Sequence, residues 1–194
     1  MLEDHGIALY SYSRANPMEL AAKRAETLVT TYLEMTSRSD FAPAFIRAAD
    51  IEIVKMEMPD LGFYKFLYQS VGEEWAWRDR LKMTNSELRE ILSADNTQVH
   101  VLYVSGSPAG YVELFRHEDS SVEIAYFGLR GDYMGRGLGK HLLSYGIARA
   151  WDMAASRVWL HTCNLDGPHA LANYQKRGFK IYKVVEEPLP ALYA

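Results

Sequence analysis

Gly135, Gly137 and Gly139 lead from a strand-like run, Val122–Leu129, into an apolar-periodic helix that opens at Leu138. Glycine lets a backbone approach a ligand closely. A helix start adds unpaired N–H donors and the positive end of the helix dipole. Together these suit a phosphate or pyrophosphate. Two familiar nucleotide loops fail on counting. A Gly-x-x-x-x-Gly-Lys-Ser/Thr loop ending on Gly139-Lys140 needs glycine at Met134 and a hydroxyl at His141. A Gly-x-Gly-x-x-Gly fingerprint from Gly135 needs its third glycine at Lys140. Proton-carrying side chains flank the loop in sequence: Glu113 and Glu123 before it, His161, Cys163 and Tyr174 after it. No His, Cys, Asp or Glu group has metal-ligand spacing, so no metal is expected.

A third pattern does fit. Glu123–Leu143, followed by Asn164–Phe179, resembles the GNAT family of acetyl-CoA-dependent N-acetyltransferases. The family signature (Gln/Arg)-x-x-Gly-x-(Gly/Ala) is met by Met134-Gly135-Arg136-Gly137-Leu138-Gly139, with Met134 departing at the first position. The second motif is met by Asn164, Ala170 and Tyr174-Gln175-Lys176-Arg177-Gly178-Phe179. Either stretch alone also fits an ordinary αβ unit with a glycine turn; both in this order are far more specific. The resemblance implies that backbone groups of 134–140 hold the pyrophosphate of acetyl-CoA, with Arg136 and Lys140 supplying positive charge. It implies that Phe127, Gly128 and Leu129 pair with the pantetheine amides as an added strand would. Asn164 matches the residue that binds the pantetheine arm and also suits a residue capping the next turn, two roles that are compatible. Transfer to an amine needs a neutral nucleophile and benefits from protonation of the departing thiolate. Glu123 holds the family's base position, with Glu113 as the second candidate, and Tyr174 matches the tyrosine facing the CoA sulfur. His161 is a further proton carrier or a satisfied sheet histidine. Cys163 beside a thioester suggests an acyl-cysteine, against which the family's direct transfer argues.

The elements that position these residues follow from patterning. The stretches Leu28–Met35, Ile51–Met58, Val99–Val104, Gly110–Phe115, Ser121–Leu129, Arg157–Thr162 and Phe179–Val185 read as strands. Val99–Leu129 reads as an antiparallel meander, and the first two strands are expected to pair with one another. Met1–Asn16 reads as an irregular arm and Pro17–Thr27 as a short helix. Phe63–Val71 reads as a helix with Phe63, Phe66 and Leu67 on its buried face. Trp75 and Trp77 are packing or acceptor residues. Thr84-Asn85-Ser86-Glu87 is a capping box opening another helix. The long helix Leu138–Ala154 carries an inner stripe of Leu143, Ile147, Ala150, Trp151 and Ala154. A last helix spans Gly167–Arg177. The resemblance implies an α/β (α+β) fold: a mixed, mostly antiparallel sheet, splayed between Glu123–Leu129 and Val158–Cys163, with helices on both faces.

The chain has 194 residues, which suits one domain: residues 1–60 add an arm and extra strands, and 97–185 form the acetyl-CoA-binding core. A net charge of −4 disfavours a nucleic-acid partner. The single cysteine precludes an intrachain disulfide and fits a reducing compartment. No run approaches membrane-spanning length and the start is no signal peptide, so a soluble, cytoplasmic protein is expected. The functional expectation is an N-acetyltransferase using acetyl-CoA and an amine acceptor, the aromatic-rich first half hinting at an apolar acceptor. A longer acyl group, or an acyl-CoA-binding sensor without turnover, are the alternatives. Open strand edges would allow a homodimer.

Overall fold

A computed structural model describes residues 27–191 and Tyr193, so the expected arm and nearly all of the Pro17–Thr27 helix lie outside the described residues. Seven strands form one sheet: β1 (Thr27–Met35), β2 (Ile51–Lys55), β3 (Thr97–Val104), β4 (Ser107–Arg116), β5 (Ser121–Leu129), β6 (Arg157–Cys163) and β7 (Lys180–Pro188). Their spatial order is β2-β3-β4-β5-β6-β1-β7. Every neighbouring pair is antiparallel except β5 and β6. The meander over β3, β4 and β5 is present as read. The expected pairing of the first two strands is not. β2 pairs with β3, whereas β1 crosses the sheet to lie between β6 and β7. In that place Leu33 and Met35 of β1 are buried in the main core.

Five helices, α1 (Leu61–Gly72), α2 (Asp79–Lys82), α3 (Asn85–Ser93), α4 (Leu138–Asp152) and α5 (Ala170–Lys176), accompany the sheet among the described residues. Asp60 opens α1 by accepting from the Phe63 N–H at 2.9 Å. The capping box of α3 forms as read, with Thr84 and Glu87 satisfying each other's backbone. The inward face of α1 is Tyr64, Leu67, Tyr68 and Val71; of the expected face Leu67 is buried, Phe63 is half-buried against the same core and Phe66 is exposed. In α4 the buried stripe runs Leu138, Leu142, Leu143, Gly146, Ile147, Ala150. Ala154 is not part of it, because the helix stops at Asp152 and Ala154 turns to φ 56°.

Strand alternation sends side chains to two cores. On one face, Val112, Leu114, Val122, Ile124, Val158 and Leu160 pack against α4 and against Tyr174 of α5. On the other, Val99, Val101 and Tyr111 pack against Tyr64, Leu67, Tyr68 and Val71 of α1 and Leu88 and Leu92 of α3. Each buried Leu, Ile or Val contributes about 1.5–3 kcal/mol relative to exposure. α4 approaches β4 closely because position 146 is glycine: a Cβ there would meet Val112 Cγ2 at 2.9 Å. Helices therefore cover both faces, as expected.

Candidate active site

The parallel pair β5–β6 is short. Only Ser121↔Arg157, Val122↔Val158 and Glu123↔Trp159 are in register. On the other side of β5, the β4 pairing jumps from Glu113↔Tyr126 to Leu114↔Ile124, which leaves Ala125 bulged. A bulge kinks a strand and frees backbone groups from the ladder. Beyond Glu123 the two strands part, and a cavity of about 520 Å³ occupies the gap. Its walls come from both cores. Phe127, Leu129 and Tyr174 belong to the α4 face, and Tyr68, Trp77 and Tyr126 to the α1 face. The gap is a passage through the sheet, with Glu123 at its root.

At one end stand Gly128, Met134 and Gly139. Gly135 and Gly137 take φ 73° and 76°, a left-handed backbone that favours glycine. Gly137 is the N-cap of α4 and places no side chain over the first helical N–H groups. A side chain at 137 would meet Lys140 Cε at 3.2 Å and Ile46 Cδ1 at 3.4 Å. The segment 41–50 braces this turn. Ile46 N–H donates to His141 Nδ1 at 3.1 Å, and Ala44 N–H donates to Ser144 Oγ at 2.9 Å. His141 therefore has a structural task where a P-loop would carry a metal-binding hydroxyl. Of the expected loop residues, Met134 and Gly139 reach the cavity wall; Gly135, Arg136 and Gly137 form the turn, and Leu138 and Lys140 lie in the first turn of α4. The Arg136 guanidinium lies 5.7 Å from the centre of the Tyr133 ring.

Glu123 stands between two imidazoles. His117 Nε2 lies 3.1 Å from its Oε2, and His161 Nδ1 lies 3.6 Å from its Oε1, a charge contact just beyond hydrogen-bond length. The Glu123 carboxylate raises the His161 imidazole above its ordinary value, against the opposing effect of burial. Register explains the meeting: Glu123 pairs with Trp159, so His161, two residues on, shares that face. Tyr174 lines the opposite wall, buried and edge-on to Phe127 and Phe179. Burial pushes its phenol well up, so it stays protonated at neutral pH. Cys163 also lines the cavity, its thiol pushed up to about 11 by burial, with Asp166 adding to the effect.

Two expected residues sit elsewhere. Glu113 is fully buried beneath the α1 face, where its carboxylate accepts from Tyr64 Oη and from Arg80 Nη2, each at 2.5 Å. Burial pushes its carboxyl upward while Arg80 pulls it down. It forms part of a buried ion pair and not of the cavity wall. Asn164 is spent on β1. Its Oδ1 accepts from Val29 N–H at 3.0 Å, and its Nδ2 donates to the Thr27 carbonyl at 2.9 Å. Asn173 lines the cavity instead, with Nδ2 4.0 Å from where a Cβ on Gly139 would stand. Asn173 directly precedes Tyr174 on α5, and that adjacency was the available signal. Trp75 and Trp77 both line the cavity, and so does Asp79, which carried no motif. Among the described residues no group of three or more His, Cys, Asp or Glu side chains is arranged to hold a metal ion, and no described helix is long and apolar enough to cross a membrane.

The site is thus a mixed sheet forked between two parallel strands, with a glycine loop at the helix beside the fork. The profile of the acetyltransferase (GNAT) family matches residues 63–179, and the chain belongs to that family. It is 31% identical over 99 residues to an uncharacterized N-acetyltransferase of Mycobacterium tuberculosis (strain ATCC 25618 / H37Rv), covering 51% of this chain and 63% of that protein. The chain thus spans under two thirds of that relative. Among solved structures it is similar to a GCN5-related N-acetyltransferase from Sphaerobacter thermophilus, with TM-score 0.61 and 13% identity over 88% of this chain and 55% of that one. A Bacillus subtilis acetyltransferase solved in complex with CoA gives TM-score 0.54 and 22% identity over 69% of this chain and 78% of that one. These likenesses establish the fold.

Proposed function

We propose that the protein is an acetyl-CoA-dependent N-acetyltransferase that passes the acetyl group to a primary amine by direct attack, both substrates meeting in the β5–β6 fork. The observation that carries this reading is the fork itself, with Glu123 at its root, Tyr174 across it and the glycine turn at its mouth. Acetyl-CoA supplies the acetyl group activated as a thioester. The bare turn 135–139 and the start of α4 offer N–H donors for a pyrophosphate. Backbone groups of Phe127–Leu129, facing the gap without a β6 partner, suit the pantetheine amides. A backbone N–H near the Ala125 bulge polarises the acetyl carbonyl. Asn173, which lines the cavity, takes the arm-binding role, while the Asn164 amide is engaged with β1. Glu123 accepts the amine proton, directly or through water, with His161 and His117 sharing the charge. Tyr174 donates to the departing sulfur.

The test is thermal unfolding with and without acetyl-CoA, followed by a thiol assay for CoA release on adding amines. At a hundred times its dissociation constant a ligand adds ~2.7 kcal/mol. For a protein of this size that raises Tm by roughly 5–11 °C. No shift, together with no CoA release from any amine, would end the reading.

A further inference from the structure

The amine-facing limb of the cavity has a chemistry of its own, and its interpretation rests on the N-acetyltransferase reading above. We infer that the acceptor is a primary ammonium carried on a flat, aromatic body, held against Trp75, Trp77 and Tyr126 with its charged end toward Asp79 and Glu123.

Shape comes first. Tyr68, Trp77 and Tyr126 touch one another with ring centres 5.2–5.4 Å apart, and all three line the cavity. The corner they make is fixed in advance. Trp77 N–H donates to the Gly72 carbonyl at 3.1 Å, and its ring lies so close that any side chain at 72 would collide with it at 2.5 Å. Trp75 closes the limb on the other side, its ring 3.4 Å from where a Cβ on Gly167 would stand. A ligand entering between these walls meets π faces, which favour flat rings and cations.

Charge comes second. The guanidinium of Arg80 lies 5.1 Å from the centre of the Tyr126 ring, but its charge is turned inward to Glu113 at 2.5 Å. Asp166 is also occupied, accepting from Thr162 Oγ1 at 2.6 Å and Cys163 N–H at 2.9 Å. Asp79 lines the limb, is exposed, and makes no ion pair among the described residues. Glu123 faces two histidines, His117 and His161. The carboxylate on the limb without an ion pair among the described residues is therefore Asp79, which favours a cation and opposes a carboxylate-bearing acceptor. Size comes third. A volume of about 520 Å³, shared with the thioester end, suits a one- or two-ring amine.

The experiment compares 2-phenylethylamine, n-hexylamine and kanamycin as acceptors in the CoA-release assay. Their binding is measured in parallel by calorimetry with CoA present, which reads out without turnover. The aryl amine is expected to exceed the alkyl amine in kcat/KM and affinity by roughly three- to tenfold, the range of one aromatic contact. Trp75→Ala should erase that ratio, and Asp79→Asn should raise KM for both amines. Trp77→Phe, which keeps a ring against Gly72, serves as the second variant if Trp75→Ala is misfolded by circular dichroism. Equal values for the two amines, preference for kanamycin, or an unchanged ratio in both Trp variants would overturn the inference while leaving the transferase reading intact. A Tm unmoved by acetyl-CoA would instead count against the transferase reading, with the calorimetric ratio still deciding the aromatic limb.

Discussion

Removing the charge of Arg80 isolates the buried pair beneath the cavity. The Glu113 side chain is 0% exposed and that of Arg80 is 10% exposed. In Arg80→Met the stem is roughly kept and the guanidinium lost, leaving a carboxylate with only Tyr64 as donor. Stranding one member of a buried pair costs ~3–5 kcal/mol. At about 2–4 °C per kcal/mol for this size, Tm at pH 8 should fall by roughly 6–20 °C. The sign of the pH dependence follows. Burial already pushes the Glu113 carboxyl up, and without the opposing pull of Arg80 it rises further. Between its unfolded and folded values the folded state then holds a proton that the unfolded state has lost. Stability falls as pH rises through that window and returns below it, at ~1.4 kcal/mol per pH unit. Thermal unfolding by circular dichroism at pH 5, 6, 7 and 8 should show the gap between parent and variant narrowing toward pH 5. A gap of constant size would refute the argument and reduce Arg80 to packing on Tyr126. Because the pair is structural, Glu113→Gln should lower Tm yet leave the pH profile of turnover in place; a vanished acid limb would restore Glu113 as the base.

Tyr174→Phe should slow acetyl transfer about a hundredfold or more while the acetyl-CoA-induced Tm shift persists; equal turnover would remove Tyr174 from the acid role. Gly137→Val forces a β-branched residue to φ 76° against Lys140 and Ile46, so it should abolish that Tm shift; unchanged acetyl-CoA binding would show that the turn does not hold the cosubstrate. Asn164→Ala removes two hydrogen bonds to β1 and should cost ~1–3 kcal/mol, with faster hydrogen exchange at Val29; unaltered exchange would mean that β1 is held elsewhere.

Local signals were legible and distant pairings were not. The capping box at Thr84, the meander of β3–β5 and the glycine turn before α4 are written in contiguous residues, and all three are present. β1 was legible as a strand, but its partners lie more than a hundred residues away, and an alternating strand does not name its neighbour. The α1 face was misread because aromatics occupy both sides of that helix, so periodicity had two phases to choose from. The same limit explains Asn164. Its place after β6 matched a motif, but the arrival of β1 beside β6 takes up its amide. The meeting of Glu123 with His161 depends on a three-residue parallel register that no local pattern encodes.

The two core clusters place the proposed acid, Tyr174, and the proposed base, Glu123, on opposite faces of one sheet. Glu123, Tyr126 and His161 look toward α1; Phe127 and Tyr174 look toward α4. In the transfer reading this separation has a mechanistic consequence. The amine loses its proton on one face and the sulfur gains one on the other, so no single group must serve both steps. Neither is a protein nucleophile required between them. Cys163 is the side chain that could have played that part, but burial pushes its thiol up to about 11, which keeps it protonated at neutral pH. A thiol in that state attacks a thioester poorly, whereas an amine deprotonated beside Glu123 needs no intermediate carrier. In the proposed reading, direct transfer therefore follows from which groups can hold or release a proton at each end of the fork.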